Sequence, residues 1–344
     1  MEAAELSGRK RRILAAIVEH YIRTGEPVGS KVLAEALGNA ASSATIRNEM
    51  AELDEMGYLE QPHTSAGRIP TAPAFRLYVD QLMPHRRLEE EGRRDIDRRL
   101  APALGDPDRL VSEAAETLAS LTGCAAVSTP PTEREARVRR LETMVISPHL
   151  AAAVLMTDSG LIRNRLCRFT AAPDPVALHS MATALQARFD GARLGEITTG
   201  AMQELLTAFG DYGAQMMPLL TAVLELARDA AEAEITLKGE WNLLRHPDYD
   251  SDRIRALLGY LTRQELLGDM LAGAPAGLQV LLGSESTRPE LKGSSLILTR
   301  YRGAGGGSGT IGVIGPVRMD YAAAIPRIEY LADTLTRLLL QLTE

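Results

Sequence analysis

Thr45, Arg47 and Asn48 lie close together in the stretch SSATIRNEMAELDEMGYLEQPHTSAGRIPT, Ser42 to Thr71. The chemistry these side chains offer is hydrogen bonding, not bond breaking. A guanidinium pairs with both major-groove acceptors of guanine, and a carboxamide with the acceptor and donor of adenine. A helix drawn through this stretch puts Ile46, Met50 and Leu53 on one side and Ala44, Arg47, Asn48 and Ala51 on the other. Small residues among the polar ones give clearance for a close approach to a groove floor. The polar group sits near the helix N-terminus, where recognition helices touch bases and where free N–H groups favour phosphate. Ser43, Ala44, Thr45, Arg47 and Asn48 are therefore candidate DNA contacts. Further on, His63, Thr64, Ser65, Gly67 and Arg68 form a compact polar tip with one cation. It suits a DNA backbone or a narrow minor groove, and an ordinary solvated hairpin equally well.

Other chemistries find no footing. Gly307-Ser308-Gly309-Thr310-Ile311-Gly312 matches G-x-G-x-x-G, but it opens a strand, Ile311 to Ile314, instead of a helix and reads as a flexible hairpin loop in the glycine-rich run 303–309, so a dinucleotide site is not expected. Histidines 20, 63, 85, 149, 179 and 246 lack metal-ligand spacing. There is no G-x-S-x-G elbow and no phosphate loop ending in Gly-Lys-Ser/Thr. Asp211, Asp229 and Glu232 read as solvated helix faces. No catalytic residue, metal or cofactor is expected. Cys124 and Cys167, far apart in apolar surroundings, read as buried thiols of a reducing cytoplasm.

The elements that must position the polar face can be read outward from it. Ile13, Ile17 and Tyr21, with Leu14, Val18 and Ile22, give a broad apolar stripe on a helix from Ser7 to Thr24. Ser30 reads as the N-cap of a short second helix ending at Gly38. Ser42 or Ser43 caps the third, which runs to Met56 and stops at Gly57. Tyr58–Pro62 and Ile69–Thr71 flank the tip as a hairpin. Three helices and a hairpin in this order make a winged helix-turn-helix pattern. Residues 72–100 read as one helix, charged from His85 to Arg99 and solvated. Downstream come a helix at 108–122, strands between 124 and 169, helices from 175 to 271, three strands between 278 and 316 and a helix at 321–342. The fold class is α+β and multidomain, with a sheet domain that an insertion interrupts. In the helix at 212–234, Met216, Leu219, Leu220, Val223, Leu226 and Ala227 form a stripe that suits either a dimer interface or plain core.

The chain has 344 residues, 45% of them apolar, which predicts two or three domains. No apolar run is long enough for a bilayer, and the N-terminus lacks a secretory h-region. A cytoplasmic protein without a membrane partner is expected. The net charge of −7 argues against a nucleic-acid partner until it is divided. Residues 1–87 hold 11 Lys/Arg and 11 Asp/Glu, leaving 27 basic and 34 acidic residues downstream. Arg9, Lys10, Arg11 and Arg12 form a basic run within the neutral part.

These words resemble a known family. GSKVLAEALG, the Ser42–Thr71 stretch, FRLYVDQLM and the late GTIGVIGPVRMDYAAAIPRIEYL are similar to the bacterial heat-inducible transcription repressor HrcA. The resemblance runs nearly end to end and is strongest at 29–83 and 309–335. It implies a winged helix-turn-helix at 1–84, a connecting helix at 85–100, a GAF-like α/β domain at 101–136 and 245–344, and a dimerising domain inserted at 137–244. It also implies a homodimer on double-stranded DNA at an inverted-repeat (CIRCE) operator of chaperone operons, kept active by the GroEL chaperonin. A rival of another class is a regulator whose GAF-like domain senses a small effector.

Overall fold

The computed structural model describes residues 6–38, 41–63, 66–84, 86–132, 136–158, 161–231, 235–303 and 307–342. Helices α1 (Gly8–Thr24), α2 (Ser30–Ala36) and α3 (Ser43–Glu55) enclose Ile13, Leu14, Ile17, Leu33, Ile46, Met50 and Leu53, all at most 5% exposed. Ser42 caps α3 by accepting from the Thr45 amide at 3.1 Å. Gly57, at φ 80°, ends it in the left-handed conformation that glycine adopts without strain. Ser30 does not cap α2 as expected. Gly29 holds that place, and the Ser30 hydroxyl lies 3.0 Å from that of Ser43 instead. Strands β1 (Leu59–Glu60) and β2 (Ile69–Pro70) pair antiparallel. Val28 and Arg68 exchange backbone hydrogen bonds of 2.8 and 2.9 Å, which tie the hairpin to the α1–α2 connection.

The single helix expected over 72–100 is two. Helix α4 (Ala72–Leu77) continues as a π-turn, Tyr78–Leu82, and stops. Met83 takes ψ 132°, because the ring of Pro84 pushes the preceding residue out of the helical region. The chain re-enters helix as α5 (Glu90–Leu100). This is no free connector either. Ile96 and Leu100 are buried in the same core as the following helix and the C-terminal one, and the Tyr330 hydroxyl donates to Asp97 at 2.9 Å.

Helix α6 (Pro107–Thr122) leads into β3 (Ala125–Thr132). The insertion follows: β4 (Val138–Ser147), β5 (Leu150–Thr157) and β6 (Ile162–Arg168), then α7 (Pro175–Phe189), α8 (Thr199–Ala208) and α9 (Gly213–Ala231). The main domain resumes with β7 (Thr236–Lys238), α10 (Glu240–Leu244), α11 (Ser251–Leu261) and α12 (Gln264–Ala272). Strands β8 (Gln279–Leu282), β9 (Ser294–Arg302) and β10 (Ser308–Pro316) then precede α13 (Tyr321–Gln341). The main sheet runs β7-β3-β10-β9-β8, antiparallel throughout. Alternation sends Ala126, Ile297, Ile311 and Val313 to the core shared with α6, α13 and the N-terminal helices. Ala125, Val127, Leu296, Leu298 and Ile314 face Leu243, Leu257, Tyr260, Leu267 and Leu271 of α10–α12.

The insertion has its own sheet, order β4-β5-β6, and its own core. It does not extend to 244. Leu237 pairs with Val127 of the main sheet and Leu243 belongs to the main-domain core, so residues 236–244 lie with the sheet domain. The apolar stripe of α9 is core: Met216, Leu219, Leu220, Val223, Leu226 and Ala227 are at most 2% exposed within the one chain. The glycine-rich motif, expected as a flexible hairpin loop opening a strand, is largely strand itself: β10 starts at Ser308, which pairs with Arg302 of β9. A Cβ at Gly312 would fall 2.1 Å from the Ile297 carbonyl oxygen. Among the described residues no helix is long and apolar enough to cross a membrane.

Candidate nucleic-acid interface

Ala44, Arg47, Asn48 and Ala51 are all exposed along one side of α3, while Ile46, Met50 and Leu53 on the other side are buried. Among the described residues, no hydrogen bond or ion pair engages the Arg47 or Asn48 side chain. Within the described residues both groups keep their donors unengaged. Ser43 and Thr45 are placed differently. The Thr45 hydroxyl sits 2.9 Å from Ser42 Oγ within the helix cap, and Ser43 Oγ faces Ser30 Oγ. These contacts hold the N-terminal ends of α2 and α3 side by side and leave Ser43 and Thr45 half-buried.

Helix α3 also carries Glu49, Glu52, Asp54 and Glu55, which would repel phosphate. Three of these four carboxylates have cationic partners. The Lys10 ammonium lies 2.6 Å from Glu52 and 3.5 Å from Glu49, and Arg9 adds a longer contact of 3.7 Å to Glu49. The hydrogen bond to Glu52 is the main reason the Lys10 pKa rises above the usual lysine range, against an opposing desolvation effect. The third partner is Arg68, whose Nε is 2.8 Å from Asp54. The sequence places Arg68 as the cation at the tip of the wing. In the fold its head is turned back onto the end of α3, and its backbone lies in the bridge to Val28.

The tip itself is braced. The Ala66 amide donates to the His63 carbonyl at 2.8 Å, and Gln61 Nε2 donates to the Ala66 carbonyl at 2.9 Å. His63 is exposed. Gly67 serves close packing: a Cβ there would stand 2.4 Å from the Val28 carbonyl oxygen. Thr64 and Ser65 lie outside the described residues. Asp54 and Gln61 carry no signal in the sequence as supporting residues, and Ser30, expected as a cap of α2, supports the start of α3 instead. Lys10 was visible only as part of a basic run, and no local spacing signals its partners on α3.

A compact helical unit whose third helix bares a polar face beside a short hairpin defines a winged helix-turn-helix protein. Comparison with known proteins agrees and goes further. Residues 5–82 match the family model described as "Winged helix-turn-helix transcription repressor, HrcA DNA-binding", and residues 108–325 match "HrcA protein C terminal domain". The heat-inducible transcription repressor HrcA of Pelotomaculum thermopropionicum is 32% identical over 342 residues, covering 97% of each chain. That of Geobacter sulfurreducens is 34% identical over 342 residues, covering 97% of this chain and 98% of its own. A crystal structure described only as that of a hypothetical protein is similar in fold. Its TM-score is 0.65 at 24% identity, with 98% of this chain and 100% of that one covered. The chain belongs to the HrcA family of heat-inducible transcription repressors.

Proposed function

We propose that this chain represses chaperone operons by occupying, as a cytoplasmic homodimer, an inverted-repeat operator of the CIRCE type. The repressor acts sterically, by excluding polymerase from the operator. The GroEL chaperonin keeps it in its active form, and heat, by drawing chaperonin to unfolded proteins, releases the operons. A modest stability gap is enough for such a switch, because a partner that binds one state shifts the balance by mass action.

The observation that carries this reading is the bare Ala44–Arg47–Asn48–Ala51 face on α3, in a chain of this repressor family. Arg47 and Asn48 are assigned to base edges, with Ala44 and Ala51 giving clearance. Ser43, Thr45, His63 and Gly67 line the backbone-facing surround, where Thr64 and Ser65 belong on sequence grounds alone. Arg68 holds the wing against α3. A two-fold dimer pairs naturally with an inverted repeat. The insertion offers exposed apolar residues for such a contact. Met144, Val145 and Ile146 of β4 are 53%, 64% and 56% exposed, and Ile162 and Leu166 of β6, on the other side of β5, are 52% and 55% exposed. The small-effector reading has less support, because the α10–α12 face of the main sheet is filled by Leu243, Leu257, Tyr260, Leu261 and Leu271.

The test is a gel shift on the inverted repeat upstream of the source organism's chaperonin operon, with and without purified chaperonin. Retention of the repeat but not of a scrambled duplex, strengthened by chaperonin, is expected. Indifference to chaperonin would remove that partner, and equal retention of both duplexes would remove the operator.

A further inference from the structure

Beyond the apolar core that they share, the DNA-reading head and the C-terminal domain are joined by arginines reaching across the junction in opposite directions. Arg318, in the turn between β10 and α13, has a side chain only 13% exposed. Its Nε lies 2.6 Å from one carboxylate oxygen of Asp248, in the α10–α11 loop, and 2.7 Å from the other. Its Nη1 donates to the Ile22 carbonyl at 3.3 Å. That carbonyl belongs to the last turn of α1, where helix oxygens lack partners within the helix and the helix dipole favours a cation. The guanidinium lies against Gly25, where a Cβ would approach its Cζ to 3.0 Å. In the other direction Arg76 of α4 donates from both Nη atoms to the Val280 carbonyl, at 3.2 and 3.1 Å. Its Nε stands 3.3 Å from Glu285. The Phe75 and Tyr321 rings meet between these regions, 6.5 Å apart. Cavities of about 650 and 430 Å³, each lined by residues of both units, open at the same junction.

We propose that Arg318, held by Asp248, is a positioning residue for DNA binding: by capping α1 from the C-terminal domain it sets the angle at which α3 is presented. Helix α1 packs directly beneath α3, so fixing the end of α1 fixes the reading face. In a dimer this angle sets the separation of the two reading faces, which must match half-sites about one helical turn apart. Arg318 touches no DNA in this account. The consequence for the operator rests on the dimeric reading above; the clasp itself does not.

Two measurements on the full chain separate these claims. Spin labels at Glu35→Cys on α2 and Arg255→Cys on α11, both exposed, report the head's orientation in the absence of DNA; Cys124 and Cys167 are buried. Arg318→Ala is expected to broaden that distance distribution, and Asp248→Asn, which keeps the shape, to give an intermediate width. A distribution unchanged from wild type in both variants would overturn the clasp. Titration then compares the complete inverted repeat with a single half-site. Arg318→Ala is expected to leave half-site affinity within about twofold and to weaken binding to the full repeat by about tenfold or more, as mismatched bivalent contacts do. Equal losses on both duplexes would mean that Arg318 acts on the folding of the head and does not orient it. If the wild-type chain itself fails to prefer the repeat over the half-site, the operator reading falls while the distance measurement still decides the clasp.

Discussion

Helices α3 and α9 carry the same kind of pattern and meet opposite fates. Each has a one-sided apolar stripe and a chemically distinct remainder. In α3 the stripe is buried and the other side is left bare, with Arg47 and Asn48 facing outward. In α9 the stripe that might have been an interface is consumed by the insertion's own core, and most of the insertion's exposed large apolar residues lie instead on β4 and β6. Periodicity tells which residues share a face. It does not tell what covers that face, because the cover comes from elements distant in sequence. The lesson extends to the two arginines of the reading head. Arg47 has no protein partner among the described residues, whereas Arg68 is turned onto Asp54.

The largest effect expected from this contrast is on stability. Leu219→Ala, fully buried in α9, should destabilise the insertion by roughly 2–5 kcal/mol in urea unfolding. A loss well under 1 kcal/mol would return the α9 stripe to the surface and reopen it as an interface. On the other helix, Arg47→Ala should cost roughly 1–3 kcal/mol on the operator and little on scrambled DNA. A similar loss on both duplexes would place Arg47 on a phosphate. Next in size, replacing Met144 and Val145 together by glutamate should weaken self-association by about tenfold or more, about 1.4 kcal/mol, seen by sedimentation. Unchanged self-association would move the dimer contact away from the β4 edge. The smallest effect is expected at the wing. Arg68→Ala removes a partly exposed ion pair and should cost about 0.2–1 kcal/mol of operator affinity, with the salt dependence retained. A salt slope reduced by about one would show that Arg68 neutralises a phosphate after all.

Much of the reading head was legible, because its signals are local. Ser42 caps α3, Gly57 ends it, and the 3.6-residue period separates Ile46, Met50 and Leu53 from Arg47 and Asn48. The break in the helix after Leu82 was also legible in principle, since Pro84 forces Met83 out of the helical region. What escaped depends on tertiary pairing. Nothing near Arg68 in sequence announces Asp54, and nothing near Lys10 announces Glu49 and Glu52. The end of the insertion was misplaced because β7 is only three residues long and has no period of its own; pairing with β3 is what makes it a strand. The Arg318 clasp was invisible for the same reason, with Ile22 and Arg318 at opposite ends of the chain.

The most direct test of the account is a titration of wild type and Arg47→Ala at one fixed salt concentration. The duplexes are the inverted repeat and a scrambled duplex of equal length. The account predicts a wild-type preference of about 10³-fold or more for the repeat, with Arg47→Ala losing affinity on the repeat alone. Equal wild-type affinity for the two duplexes would contradict it, because the bare face of α3 would then read no sequence.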